Sequence, residues 1–325
     1  MKNIINLIVD NNDIGLRIDS FLSKKKQELS RTRIKNLILK KKLKLNNKIL
    51  EDPSKKVTLG DEIIFEIPEP EKIYLKPYDY KLDIVHEDSD LIVINKFAGI
   101  SMHPGAGNYE NTIVNALMNY NNKNLSNIGD ELRPGIVHRI DKDTSGLVVI
   151  AKNNKTHEHL SDQFSKHTIN RVYQALIWGK LRPQIGKIET LLTRSTKNRQ
   201  LMQVGTTKGK KAITNYKTLK IFEGKNIPTM SLIECKLETG RTHQIRTHLT
   251  SIQHPLVGDQ LYGRSPAHRV RGLPQSITTL LSTFKRQALH AEELGFLHPA
   301  SQDYMAFEAP LPSDFSAILD ALEKL

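Results

Sequence analysis

Residues 138–152 read His-Arg-Ile-Asp-Lys-Asp-Thr-Ser-Gly-Leu-Val-Val-Ile-Ala-Lys, a polar loop that runs directly into an apolar stretch. The apolar half predicts a buried strand. A loop held by such a strand places a carboxylate rigidly at the edge of a sheet, where catalytic groups are well positioned. By this argument Asp141 and Asp143 are equal candidates for a catalytic role. The alternative is an Asx or ST turn over residues 143–145, and spacing alone favours that structural role.

Short strand-like runs continue on both sides of this loop. By number they are residues 83–86, 91–95, 147–152, 172–178, 212–221, 231–237, 289–297 and 305–307. Residues 242–251 and 315–325 predict helices, and the basic, Ser- and Thr-rich residues 262–285 predict a long loop. This pattern lacks the βαβ alternation of a Rossmann fold. We therefore expect an α+β fold with a mixed, mainly antiparallel β-sheet and peripheral helices.

The first 67 residues follow a different pattern. Their apolar spacing predicts a first strand, two helices and several short strands, with Ser30 capping the second helix. Residues 1–67 thus predict a small ααβ-type module. Prolines mark an extended linker over residues 68–79, and the second domain would cover residues 80–325.

Positive charge is concentrated in the first module. Residues 24–48 hold eleven Lys or Arg and one acid, in a chain of net charge +13. A helix faced with Lys and Arg, followed by a Lys-rich hairpin, can follow a phosphate backbone. The alternative is an ordinary solvated surface, but the concentration in one unit favours nucleic-acid binding. The candidate contact residues are Arg17, Arg31, Arg33 and Lys35.

Residues 238–249 form a second polar motif, Glu-Thr-Gly-Arg-Thr-His-Gln-Ile-Arg-Thr-His-Leu. Arg241 and Arg246 have the geometry to bind a carboxylate or phosphate through two nitrogens. His243 and His248 lack the i, i+4 spacing of a zinc-binding helix, so we predict no metal site. The alternative is a packed helix whose polar groups are satisfied internally.

Composition excludes several other classes of protein. The 325 residues are 38% hydrophobic and 26% charged, which is ordinary globular composition. The single cysteine, Cys235, rules out an internal disulfide framework and a cysteine-cluster zinc site. No apolar run approaches the roughly 18 residues of a membrane helix, and the apolar start lacks a cleavage-type tail. We expect a cytoplasmic protein.

Together these segments resemble the pseudouridine synthases of large ribosomal RNA over nearly the whole chain. The first module resembles the S4 RNA-binding domain. The other matching pieces are residues 93–99, 103–108, 135–146, 171–173, 238–248, 254–259 and 286–291. Residues 103–108 and 135–146 are most similar to the D-type members of the family. Phe97 stands where the family usually has Pro, and Ile140 stands where it usually has Leu.

The resemblance implies an isomerisation without a cofactor, in which the uridine N1–C1′ bond breaks and C5 rejoins C1′. It implies that Asp141 is the carboxylate at the sugar, as nucleophile or as base, with Arg246 as its partner. A fixed carboxylate also suits the positive charge that the sugar develops. Asp143 then becomes a loop residue. Tyr173 would stack on the target base, and Arg139 would fill the gap that the flipped uridine leaves.

The same resemblance implies further contacts and partners. His138 and Arg241 join the substrate-binding residues. The partner would be 23S rRNA in the large ribosomal subunit or its precursor, with helix 69 as the target, and not DNA or a membrane. We expect a monomer without a metal ion.

The sequence is also compatible with two other functions. They are a non-catalytic rRNA-binding assembly factor and a C- or A-type synthase with other rRNA or tRNA targets. A glycosidic hydrolase usually needs two carboxylates with separate acid and base roles. The sequence offers only one carboxylate with a clear catalytic argument, which disfavours a hydrolase.

Overall fold

The structure is a computed structural model that describes residues 3–26, 29, 31–67, 75–105, 107–121, 125–128, 132–224, 227–263, 270 and 272–325. The chain divides into two compact units, Met1–Tyr74 and Leu75–Leu325. The predicted cap Ser30 and residues 68–74 of the predicted linker lie outside the described residues, whereas residues 75–79 belong to the second unit. The domain boundaries at 67 and 80 stay a prediction.

The first unit is a four-stranded antiparallel sheet with two helices. Its elements are β1 (Asn3–Ile8), α1 (Ile18–Lys25), α2 (Arg31–Leu39), β2 (Leu43–Leu45), β3 (Lys48–Ile49) and β4 (Glu62–Ile67). The strands lie in the order β1-β4-β2-β3. Because Ile18, Phe21 and Leu22 share one face of α1, that helix buries all three in a single core with α2. These elements confirm the predicted pattern.

The second unit is built on one ten-stranded sheet. Its strands are β5 (Ile84–Glu87), β6 (Leu91–Lys96), β7 (Ser145–Ala151), β8 (Asn170–Trp178), β9 (Ile185–Arg194), β10 (Met202–Gly205), β11 (Lys210–Gly224), β12 (Ile227–Leu237), β13 (Leu289–Leu297) and β14 (Tyr304–Glu308). Its helices are α3 (Ile113–Asn121), α4 (Asn154–Ser165), α5 (Gln244–Ser251), α6 (Gln275–Thr283) and α7 (Ser313–Glu323). Within the described ranges, no helix is both long and apolar enough to cross a membrane.

The strand order is β10-β9-β11-β12-β8-β13-β7-β6-β5, with β14 paired to β13. The β13–β7 pair is parallel, and the other pairs are antiparallel. The predicted mixed, mainly antiparallel sheet is therefore confirmed.

The prediction of a loop over residues 262–285 is wrong in its second half, which contains α6. This helix buries Ile277 in one core with α7, and Leu280 and Leu281 complete an i, i+3, i+4 stripe. Residues 264–269 and 271 lie outside the described residues. The sequence patterns also do not predict α3, α4, β9 or β10.

The fold brings three separated segments together. β7 is buried along its whole length, and the polar loop leads directly into it. β8 lies two places away in the sheet, beyond β13, and α5 follows β12, the neighbour of β8. The loop before β7, the strand β8 and the helix α5 are thus positioned to share one site.

Candidate active site

The loop before β7 carries Asp141 and is fixed by several hydrogen bonds. The Thr144 N–H donates to the Asp141 carbonyl over 3.1 Å. The Thr144 hydroxyl accepts from Gln287, and the Ser145 hydroxyl bonds to His290. These two hydroxyls therefore tie the loop to Gln287 and to β13, and among the described residues neither of them bonds a local backbone amide.

Arg246, on α5, joins Asp141 to a second carboxylate. Its Nη1 donates to Asp141 Oδ2 over 2.9 Å. Its Nε and Nη2 donate to the two oxygens of Asp259 over 2.8 and 3.0 Å. The Asp259 side chain is 0% exposed, and its Oδ1 also accepts two backbone N–H groups. Although burial opposes the charged form, the hydrogen bonds to Asp259 raise the pKa of Arg246, so the guanidinium remains charged.

His243 lies beside the same carboxylate. Its Nε2 is 3.9 Å from Asp141 Oδ1, and its Nδ1 is 2.9 Å from the Tyr262 hydroxyl. The backbone of His243 has φ +52°, a conformation uncommon outside glycine that clusters at functional sites. Burial lowers the pKa of His243, so the ring is neutral near pH 7. The Tyr262 ring also lies 5.0 Å from the Arg246 guanidinium.

The predicted stacking residue, Tyr173, lies on β8 between Cys235 of β12 and Ala291 of β13. It is 7% exposed, and burial raises the pKa of its phenol, which is therefore neutral at neutral pH. Tyr173, Asp141 and Arg246 line one cavity of about 400 Å³. That volume is in the range that encloses one small ligand, ~300–1,000 Å³. The structure therefore brings together the three residues that were predicted as catalytic.

Two of the predicted substrate-binding arginines line this cavity. Arg139 is exposed, and its Nη1 lies 3.2 Å from His103 Nε2. Arg241 donates its Nε to the Lys211 carbonyl over 3.1 Å. Among the described residues, each guanidinium uses one nitrogen in the contact just given. The other nitrogens of both side chains are therefore available to a ligand.

His138 also lines the cavity, but one of its ring nitrogens is occupied. Its Nε2 accepts the Val149 N–H over 3.0 Å, and the ring stacks on Phe164 at 4.5 Å. Burial lowers the pKa of His138 to about 3, so the ring stays neutral. Its contacts in the structure are those of a residue that supports the cavity wall.

Lys96 fixes the Asp141 loop from the end of β6. It is 1% exposed, and its Nζ donates to the carbonyls of Phe97, Ile100 and Lys142 over 2.8, 3.0 and 2.9 Å. Burial lowers the pKa of Lys96 to about 7. The Phe97 side chain is 49% exposed, and its carbonyl still accepts this bond.

Sequence reasoning missed four residues of this site: Lys96, His243, Asp259 and Tyr262. Each stands in or next to a segment that matches the family, but the segments alone do not assign them a contact. Burying an arginine without an acid partner is costly, so the arginine motif on α5 signalled that some acid would pair with it, but not that this acid would be Asp259.

In the first unit, one buried carboxylate, Asp19, holds two of the predicted RNA-binding cations. Arg17 and Arg31 both bind Asp19, over 3.0 and 3.1 Å, and both side chains are about half exposed. Although burial opposes it, hydrogen bonding from Arg17 and Arg31 lowers the pKa of Asp19 to about 2. Lys35 is exposed, and the side chain of Arg33 lies outside the described residues.

One cluster has the composition of a metal site: Asp88, Asp90 and His298. The Nδ1 of His298 accepts the backbone N–H groups of residues 300 and 301. Its Nε2 therefore carries the proton and faces Asp88 Oδ2 at 3.2 Å. A nitrogen that carries a proton offers no lone pair to a metal ion, so this cluster is a polar contact between two turns.

The ten-stranded sheet and a cavity with one acid, Asp141, among its described lining residues are the features to compare with known proteins. Residues 90–251 match the model of the RNA pseudouridylate synthase family, and residues 16–63 match the S4 domain. The chain belongs to the RNA pseudouridylate synthase family. The resemblance seen in the sequence is therefore confirmed.

Full-length relatives agree with this assignment. Ribosomal large subunit pseudouridine synthase D of Zymomonas mobilis is 45% identical over 95% of this chain and 94% of its own length. An uncharacterised RNA pseudouridine synthase of Bacillus subtilis is 40% identical over 95% and 94%. The solved structure of human RNA pseudouridylate synthase domain containing 1 has a TM-score of 0.55 at 22% identity, covering 79% of this chain and 98% of its own. That structure supports the fold.

Proposed function

We propose that this protein isomerises uridine to pseudouridine in 23S rRNA of the large ribosomal subunit or its precursor, with helix 69 as the target. The single observation that carries the proposal is the Asp141–Arg246 pair in the wall of the cavity. Relatives named ribosomal large subunit pseudouridine synthase D favour a ribosomal substrate.

Asp141 acts on the ribose in this proposal. Its Oδ2 is bound to Arg246, so Oδ1 is the oxygen available to the substrate. Breaking the N1–C1′ bond develops positive charge on the sugar, and a carboxylate fixed beside it stabilises that charge. In this position Asp141 can act as a nucleophile that bonds to the sugar or as a base that removes a sugar proton.

The base would stack on Tyr173 while it turns to present C5 to C1′. The isomerisation removes the proton on C5 and adds one to N1, so it needs no external reagent. Tyr173 and His243 are neutral side chains at this cavity that can exchange protons. Asp141 is the sole acid among the described residues that line the cavity, which argues against a two-carboxylate hydrolase.

The target uridine must leave its stack to reach this cavity, which favours bases in loops over bases in a duplex. Arg139, exposed at the cavity, would fill the space that the uridine leaves. The proposed S4-like domain, residues 1–67, would bind flanking RNA through Arg17, Arg31, Arg33 and Lys35. Such phosphate contacts position the protein without reading sequence.

Tritium release from 5-³H-uridine tests the proposal on three substrates: helix 69 transcripts, ribosomal particles and a tRNA anticodon arm. We expect helix 69 to react, and to react best in particles, because specificity then depends on RNA shape. If the tRNA arm reacts and helix 69 reacts in no context, the helix 69 assignment is wrong, although the class of enzyme stands. If none of the three RNAs reacts, the proposal fails, and a non-catalytic assembly factor and a synthase with other targets are the alternatives.

A further inference from the structure

Arg171 is a buried cation with no counter-ion among the described residues. It lies on β8 two residues before Tyr173, so both side chains project from the same face of the sheet, and both line the cavity. Arg171 is 7% exposed. Its guanidinium makes no hydrogen bond or ion pair within the part of the chain that the structure describes, and its buried Nε has no partner. The guanidinium lies 5.5 Å from the centre of the Phe164 ring.

The other buried arginines of the described residues behave differently. Arg246 binds Asp259 through two nitrogens. Arg286 binds Asp314 in the same way, with both distances at 2.7 Å. Arg171 therefore differs from the other two buried arginines of the described residues, each of which has a carboxylate partner.

Burying a charge without a partner destabilises a folded protein, because the charge loses its water and gains no opposite charge. Burial accordingly lowers the pKa of Arg171, but a guanidinium remains charged in proteins. The free protein therefore carries an electrostatic cost at this position, which a bound anion would offset.

The guanidinium is also held in place. The Phe164 ring is one of its neighbours. Gly240 is another: a Cβ added there would lie 2.6 Å from Arg171 Nη1, so the Gly240 backbone approaches the guanidinium closely. Gly240 and Phe164 both line the cavity beside Arg171. A cation that packs against both a ring and a backbone segment is oriented before any ligand arrives.

We propose that Arg171 binds a phosphodiester oxygen of the RNA next to the target uridine. The cavity is then a two-part site, with the base on Tyr173 and the phosphate on Arg171. A full negative charge offsets the buried guanidinium better than a neutral carbonyl of the base does. This inference rests on the proposed function in that RNA is the ligand.

The test compares Arg171→Met, which keeps the length of the side chain and removes its charge, with Arg171→Lys, which keeps the charge. Lys220→Met is the matched control for charge, because Lys220 is paired with Glu323 at an exposed position of β11. Arg286→Met is the control for the loss of a buried arginine that has a partner.

We expect three results for Arg171→Met. Without RNA, its Tm equals or exceeds that of wild type, whereas Arg286→Met lowers the Tm. Its plot of log K for rRNA binding against log salt loses about one unit of slope, which Lys220→Met and Arg171→Lys largely retain. Inorganic phosphate raises the Tm of wild type more than that of Arg171→Met.

An unchanged salt slope for Arg171→Met would overturn the proposal, since a contact to a neutral carbonyl releases no counter-ion. A fall in Tm as large as that of Arg286→Met would also overturn it, by assigning Arg171 a structural role. The phosphate measurement needs no RNA. If phosphate distinguishes the variant and no RNA is isomerised, the anion site stands and the proposed function fails.

Discussion

Arg246 Nη1 lies 2.9 Å from Asp141 Oδ2, although the two residues are 105 positions apart in the chain. The contact forms because Asp259 occupies the other two donating nitrogens of Arg246 and leaves Nη1 directed at the cavity. One buried carboxylate thus orients the guanidinium, and the guanidinium orients the carboxylate that we propose as catalytic.

Asp259→Asn tests this arrangement. Asparagine removes the negative charge and leaves the buried guanidinium with poorer partners, so we expect a stability loss of about 3 kcal/mol and a large fall in kcat. RNA binding should change little, because Asp259 is buried. Urea unfolding and single-turnover pseudouridine formation measure the two effects. A variant as active as wild type would show that Arg246 needs no orientation by Asp259.

Asp314→Asn is the matched control for stability. Asp314 binds the buried Arg286 through two oxygens, but its own side chain is 49% exposed. Since water can replace part of that interaction, we expect a smaller loss than for Asp259→Asn. An equal or larger loss would show that the burial of Asp259 does not strengthen its ion pair with Arg246.

Lys96 predicts a dependence of stability on pH. In the folded protein burial lowers its pKa from 10.5 to about 7, whereas the unfolded chain keeps the ordinary value. Between these two values the unfolded chain binds more protons, so the contribution of Lys96 makes stability rise with pH over that window. The free energy of unfolding of wild type, relative to Lys96→Met, should therefore increase from about pH 7 to about pH 10. A difference that is flat or falls across this range would show that the ammonium persists in the folded state.

The basic first unit should contribute to the salt dependence of RNA binding. Deleting residues 1–70 should leave a folded catalytic unit, because residues 75–325 form a compact unit with hydrophobic cores of their own. We expect weaker rRNA binding and a shallower plot of log K against log salt, with about one unit of slope lost per phosphate contact. Part of the charge is already balanced by Asp13 and Asp19, so the slope should fall by less than the count of Lys and Arg implies. Parallel plots for the two proteins would show that this basic unit does not contact the RNA.

Strands of the catalytic unit that consist of apolar runs could be predicted from the sequence. After Ser145, β7 is a continuous apolar run, and the whole strand is buried. α4 was not predictable in this way, because its buried face mixes Leu160 with Thr156, His157 and Gln163 and offers no apolar stripe. α6 was hidden by its Ser and Thr residues, although Ile277 packs in the core.

The residues of the candidate site could likewise be predicted only in part from the sequence. Residue patterns left Asp141 and Asp143 equal, and only the resemblance to a family separated them. In the structure Asp141 lines the cavity and binds Arg246, whereas Asp143 is not among the described residues that line it. Contacts such as those of Asp259 and the isolation of Arg171 depend on packing between distant segments. Spacing within one motif carries no information about such contacts.

We propose that Asp141 carries the chemistry, and tritium release by Asp141→Asn tests this most directly, with Asp143→Asn as the matched control. Both variants remove one carboxylate from the same loop and preserve its size. We predict that Asp141→Asn abolishes pseudouridine formation while RNA binding stays within a few-fold of wild type. Asp143→Asn should retain activity and lose roughly 1 kcal/mol of stability at most. Activity of Asp141→Asn within tenfold of wild type would contradict the account.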